Sequence, residues 1–498
     1  MKPIVLPLLV CIVAALSGCA DMGSARPQSA QLDANALQAG SAIAADDAHG
    51  AWPSEQWWQV YRDPQLDRLI ETALRDNPGL REAAARARQA EAMAGVGQAA
   101  TRPHVEAGMS LQRELFSEHD FIPAPEAGNY AWYNRVALEA GYDLDLWGRQ
   151  RSTLAAMLAE KKVADAEAQL ARLTLEQAVV RSYIALSLEH ALKDLANDRL
   201  AHRRQAVQIM QKRLAAGLAS EVEATQLDAT LPALQLEIEA HEERIAILRN
   251  QLAALAGKGP GSGESIARPA MRLDDADALA LPARLPADLI GRRPDVTASR
   301  WSVEAAAKEI DAARAAFYPD INLMAFIGFQ SIGFTKFLSG ESSVRGLGPA
   351  ISLPIFDGGA LRSKLGARTA AYDAAVERYN GTLVYALESV ASRLAVARSV
   401  EQQLHLNERA LATATRARAL AQQGVKAGMT DYLILIDSEV NLLSRQQDQA
   451  RLLAHRLESH AELMLALGGG LPSADVAALD KQARSSDQSI LLGKVQTP

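Results

Sequence analysis

His241-Glu242-Glu243-Arg244 opens like the helical zinc-protease motif, in which two histidines four apart hold a metal and a glutamate acts as base. The second histidine is missing, because Ile245 stands in its place. The nine histidines fall at no other metal-ligand spacing. Gly257-Lys258-Gly259 lacks the upstream glycine and the Ser or Thr of a phosphate-binding loop. The glycines of 259–263 follow no strand, so they read as a linker. No catalytic residue, metal or cofactor is expected, and the chain reads as a non-enzyme.

Two cysteines remain. Lys2 and the 13-residue apolar run Ile4–Leu16 form a secretory signal, marginal in length for a spanning helix. Leu16-Ser17-Gly18-Cys19 matches the bacterial lipobox, in which the cysteine takes a thioether-linked lipid and becomes the mature N-terminus. The alternative is ordinary cleavage after a small residue. With lipidation, signal 1–18 takes Cys11 away and Cys19 has no disulfide partner. Ala20 follows where an aspartate would mark inner-membrane retention, so the lipoprotein match points to the outer membrane, with acyl chains as anchor.

The chain that carries this anchor is 498 residues long and 49% hydrophobic but only 5% aromatic, a composition suited to closely packed helices. A net charge of −7 argues against nucleic acid as a partner. Between Asn134 and Gly148 the residues alternate: Val136, Leu138, Ala140, Tyr142, Leu144 and Leu146 fall on one side. Glu139, Gly141, Asp143 and Asp145 fall on the other. That is a strand with an apolar outside, and it assigns Glu139, Asp143 and Asp145 to an acidic lumen or its rim. Val105, Ala107, Met109 and Leu111 repeat the pattern more weakly.

Arg149 to Ala216 then runs 68 residues without glycine or proline. Leu173, Val180, Ile184, Leu188, Leu192 and Leu195 form a coiled-coil-like seam along a helix of about 100 Å. Gly217 ends it, and a returning helix with a bend at Pro232 is expected to reach Ala256. The second half says the same again. Pro78 and Pro103 recur 216 residues later as Pro294 and Pro319, and Gly217 and Gly257 recur 211 later as Gly428 and Gly468.

The organisation expected is a flexible tether over 19–50, repeats over 51–263 and 264–470, and a polar tail over 471–498. Each repeat holds a helix, two strands and a long helical hairpin. Four amphipathic strands cannot stand alone in lipid, since open edges leave backbone groups unpaired. Three copies would close about 12 strands. The expected fold class is α+β, mostly α: a trimeric channel-tunnel with four barrel strands per protomer, the repeat supplying wall segments.

Residues 281–323, "LPARLPADLIGRRPDVTASRWSVEAAAKEIDAARAAFYPDINL", resemble the signature of TolC-like outer-membrane efflux proteins, in their lipoprotein (NodT/OprM-like) branch. "DLDLWGRQRS" (143–152), "RLAAGLASEVEATQ" (213–226) and "SLPIFDGGALRS" (352–363) fit as well. The resemblance covers 50–470 in order. It implies a homotrimer with a 12-stranded barrel in outer-membrane lipid and a helical barrel crossing the periplasm. A periplasmic adaptor and an inner-membrane pump of the RND type would be its partners. It further implies an acidic gate at the hairpin ends. By position from Gly428 the gate aspartate is Asp437, and Glu223 is the acidic residue after Gly217. The family's tyrosine and arginine near the second tip are Val425 and Thr430 here, with Asp431 as a substitute partner. The tips themselves, Gly217, Leu218, Ala219, Gly428, Met429 and Thr430, suit adaptor docking or are ordinary turn residues. A passive conduit for drug efflux, a conduit of the same fold for type I protein secretion, and a periplasmic coiled-coil scaffold are the competing readings. The scaffold leaves the strands unexplained.

Overall fold

The computed structural model describes residues 22–33, 37, 52–272 and 292–470. Signal 1–18, Cys19, residues 281–291 of the family-like stretch and the tail from 471 lie outside the described residues. After a short 3-10 turn at Trp57–Tyr61 the chain forms α1 (Pro64–Asp76), α2 (Pro78–Ala100), β1 (His104–Leu115) and β2 (Tyr130–Asp143). Next come α3 (Arg149–Ala215), α4 (Glu221–Asp228) and α5 (Thr230–Leu255). The order then repeats as α6 (Pro294–Ala315), β3 (Asp320–Ile332), β4 (Ser343–Ser352), α7 (Ala360–Lys426) and α8 (Tyr432–Ala466). Both long helices, α3 and α7, are 67 residues. Of the expected α3 seam, Leu173, Val180, Ile184 and Leu192 are buried, and Leu188 and Leu195 are half-buried.

Two expectations shift. The bend in the first returning helix is a break at Ala229, between α4 and α5, and not at Pro232 itself. A proline ring collides with the carbonyl four residues back, here that of Asp228, so α4 ends there and Pro232 sits in the first turn of α5. The second shift concerns the strand that was read through Leu146: β2 stops at Asp143. Asp145 leaves the ladder because its carboxylate accepts the backbone N–H groups of Gln150 (3.1 Å) and Arg151 (2.9 Å), capping the start of α3.

The chain divides into two compact units, and each draws on both sequence repeats. Among the described residues, one comprises 22–31, 87–164 and 299–379, with the sheet, most of α2 and α6, and the first turns of α3 and α7. Its small core joins Ile310, Phe317 and Leu365, with Met22 and Ala25 against them. Residues 22–33, expected to be part of a flexible tether, are instead held by α7. Asp373 accepts the backbone N–H groups of Gln28 (2.9 Å) and Ser29 (3.0 Å), and Asn380 accepts that of Leu32 (2.9 Å).

The other unit takes in the described residues of 32–86, 165–298 and 380–470 and contains the main core. Tyr61, Leu66, Ile70, Tyr183, Ile184, Leu252, Leu394 and Leu463 are fully buried there. Burying each such side chain contributes roughly 1.5–3 kcal/mol. Asp63 ties the segments together: it caps α1 through Gln65 N–H and accepts the Tyr183 hydroxyl (2.9 Å) and the Ala270 N–H (2.8 Å).

The repeat is clearest where each returning helix ends. Gly257 and Gly468 both have positive φ, 69° and 89°. A Cβ on Gly257 would lie 2.3 Å from the Asp76 carbonyl oxygen, and one on Gly468 would lie 2.4 Å from that of Arg292. Neither position has room for a side chain. Next to each contact a side chain takes a terminal carbonyl of the returning helix. Asn77 Nδ2 donates to Leu255 O (2.9 Å), and Arg293 Nη1 donates to Ala466 O (3.0 Å). The two contacts are related by the same offsets as the prolines and glycines, 216 on one side and 211 on the other.

Candidate functional site

Two regions carry the features a conduit needs: the sheet and the hairpin turns. The sheet is antiparallel in the order β1-β2-β3-β4, so β1 and β4 are open edges. Register and alternation sort its side chains into two faces. One face presents Val105, Met109, Leu138, Ile327, Leu347 and Ile351, all exposed by more than half. An exposed apolar surface of this extent is a membrane or protein contact in waiting. Aromatic residues mark its two ends, Tyr130 and Trp132 beside the loops and Tyr142 beside the helices, as in membrane barrels.

The opposite face is polar. Glu139 lies there, but Arg135 on the same strand pairs with it at 2.6 Å, so this acid is neutralised locally. Asp143, the last residue of β2, accepts from Gln150 Nε2 (3.3 Å). Asp145 is off the strand. Burial pushes its carboxyl up, but the Arg151 and Gln150 N–H groups and the Arg151 side chain prevail and hold it below the ordinary carboxylate range. The uniformly acidic strand face expected from alternation is therefore shorter, and it contains a cation that the pattern of acids concealed.

The hairpin turns share one backbone. Gly217 and Gly428 each take φ 71°. Leu218 N–H donates to Arg213 O (2.8 Å) and Met429 N–H to Gly424 O (2.9 Å), closing the same C-terminal helix turn twice. Leu218 and Met429 are exposed by 68% and 80%, while Ala219 and Thr430 are half-buried. N-cap residues follow at equivalent places. Ser220 caps α4 in a reciprocal box with Glu223, whose carboxylate accepts from the Ser220 N–H (2.8 Å) and hydroxyl (3.0 Å). The Ser220 N–H, then its hydroxyl, hold the Glu223 carboxyl below its usual range.

Asp431 caps α8 through the Leu433 N–H (3.3 Å) and reaches across to the Arg213 guanidinium of the other hairpin (3.4 Å). The Leu433 N–H first, and Arg213 after it, lower its pKa. Arg213 and Asp431 both act on Glu223, so one arginine stands among two of the three acids named above. The third, Asp437, is exposed on α8 with no charged partner among the described residues. Arg213 itself was not singled out from sequence. The signal was its place in the last turn of α3, where a cation complements the negative end of the helix dipole. Further pairs along the hairpins, Arg418–Glu439 (3.4 Å) and Arg199–Glu237 (3.0 Å), follow the same rule of basic long helix against acidic returning helix. His241 of the zinc-like motif is buried against Glu189 (2.6 Å). Among the described residues no group of three or more His, Cys, Asp or Glu could hold a metal ion.

The outer membrane efflux protein family model matches residues 69–258 and again 285–469. The chain belongs to the outer membrane efflux protein family. This efflux protein is 44% identical over 358 residues to the fusaric acid resistance protein FusA of Burkholderia cepacia, covering 71% of this chain and 67% of that one. It is 32% identical over 444 residues to the multidrug resistance outer membrane protein MdtP of Escherichia coli K12, covering 87% and 90%. Its fold matches the outer membrane protein VceC of Vibrio cholerae with a TM-score of 0.79 at 33% identity, over 84% of this chain and 100% of that one. The efflux protein is an outer-membrane channel component, which accounts for the apolar sheet face.

Proposed function

We propose that three copies of this chain form a 12-stranded outer-membrane barrel and a helical tube into the periplasm, a passive conduit for drugs or other small organic molecules. An RND-type inner-membrane pump and a periplasmic adaptor hand the cargo over. The observation that carries this reading is the open four-stranded sheet, apolar on one face and unpaired at both edges, which is stable in lipid only when identical copies close it. The resistance names of FusA and MdtP support small molecules over secreted protein as cargo. Cys19 carries the lipid anchor. The exposed tips around Gly217, Leu218, Ala219, Gly428, Met429 and Thr430 receive the adaptor. The conduit performs no catalysis.

The gate in this reading has two layers. Arg213 latches the two hairpins of one copy through Asp431, beside Glu223, and Asp437 from three copies forms the acidic ring. Like charges at that ring repel unless cations enter, so it selects as well as closes. Planar-bilayer recordings test the ring: Asp437→Ala should raise resting conductance several-fold, and an unchanged conductance removes Asp437 from the gate. Cross-linking in cells followed by purification tests the partners, and recovery of the channel without any inner-membrane pump would defeat the tripartite assignment. Radiolabelled palmitate should label the parent and not Cys19→Ser.

A further inference from the structure

We propose that Arg113 and Arg345 form a binding site for the phosphate groups of the phosphorylated glycolipid in the outer leaflet. Charge is distributed unevenly over the four strands. Glu106, Glu114, Glu139, Asp143 and Asp320 all fall on the polar face by register, together with Arg135. The apolar face carries two charged residues only, Arg113 on β1 and Arg345 on β4, and no acid at all. Both arginines are exposed. Each stands two residues from the loop end of its strand, Leu115 on β1 and Ser343 on β4.

That depth matters. A cation at the middle of a lipid-facing strand is costly, and near the headgroups it is tolerated. Arg113 and Arg345 therefore sit where a charge is tolerated and where anionic headgroups begin. The protein offers them no counter-ion: Arg113 lies over the Tyr130 ring at 5.9 Å, and Arg345 has no ion pair among the described residues. Arg135, by contrast, has its glutamate. A guanidinium fork matches a phosphate with two parallel hydrogen bonds, while Leu111, Leu115 and Leu347 beside it offer apolar surface to acyl chains.

β1 and β4 are the edges of the sheet. Closure by identical copies, on which this inference rests, pairs β4 of one with β1 of the next, and alternation keeps both arginines on the lipid side of that seam. The site is then split between copies and repeated at each seam.

The test is native mass spectrometry of the full-length protein released from detergent after incubation with bis-phosphorylated lipid A, dephosphorylated lipid A, or phosphatidylglycerol. The parent should retain the bis-phosphorylated form and lose the dephosphorylated one. R113Q/R345Q should cut retention at least tenfold, each single variant less, and R113K/R345K should keep part of it. Equal retention by the double glutamine variant, or of the dephosphorylated lipid by the parent, overturns the proposal. Phosphatidylglycerol held as well as lipid A overturns the glycolipid assignment. The same spectra report assembly mass. Trimers without lipid sink this site alone, whereas a protein that stays monomeric sinks the closure reading instead.

Discussion

The turn after α3 and the turn after α7 begin alike and finish differently. Both place a glycine at φ 71°, both close with the same backbone hydrogen bonds, and both start the returning helix from an N-cap 211 residues apart. Ser220 then turns inward to its own helix, satisfied by Glu223 three residues on. Asp431 caps its helix and still reaches the arginine of the other hairpin. The backbone is the same at the two turns, while the side chains of Ser220 and Asp431 are bonded differently. The junctions at Gly257 and Gly468 are the counter-example, since there both the backbone and its contact persist in each copy.

That contrast can be broken experimentally, and the junctions should give the largest effect. Gly468→Ala and Gly257→Ala would each drive a methyl group into a backbone carbonyl at positive φ, so each should destabilise by about 3 kcal/mol or more, read as a fall in thermal midpoint. Gly217→Ala at the tip meets no atom within 4 Å and should cost only about 1–2 kcal/mol of backbone strain. Equal losses at tip and junction would mean that packing does not distinguish them.

The next effect depends on pH. His460, which stands where the first repeat has Arg249, is buried with Nδ1 2.9 Å from the Tyr61 hydroxyl. Desolvation first, and Arg456 second, push it down to about 4. The folded protein therefore prefers the neutral ring. Its contribution is complete above the ordinary value near 6.5 and is lost as pH falls from there through 4, about 3 kcal/mol in all. Thermal midpoints measured from pH 7 to pH 4 should fall less steeply in His460→Gln than in the parent.

Smaller still are the tips. Arg213→Gln and Asp431→Asn should each raise single-channel conductance, and the double variant no further, because the two residues make one link. Additive effects would mean that the two act separately. Glu223→Gln, which loosens a cap within one helix, should leave conductance nearly unchanged. A leak as large as that of Asp431→Asn would erase the distinction between the two turns.

The architecture was legible because its punctuation is made of glycine and proline. Few other residues can take φ near 70° or open a helix with φ already set and no N–H to satisfy, so Gly217, Gly428, Pro78 and Pro294 announce their places from type alone. The strand looks longer than it is because Asp-Leu-Asp-Leu-Trp alternates through the point where it ends, and period alone does not reveal that the Asp145 carboxylate is captured by two N–H groups. The Arg213–Asp431 link joins residues 218 apart and leaves no local pattern. Residues 22–33 look like a tether because what Asp373 and Asn380 recognise there is the backbone N–H, which every residue but proline possesses.

Recognition through N–H groups alone sets how residues 22–33 can vary. Asp373 and Asn380 grip amides at Gln28, Ser29 and Leu32, so almost any side chain is admissible at those three places. A proline at any of them would delete a donor, and residues 22–33 would lose a rivet to α7.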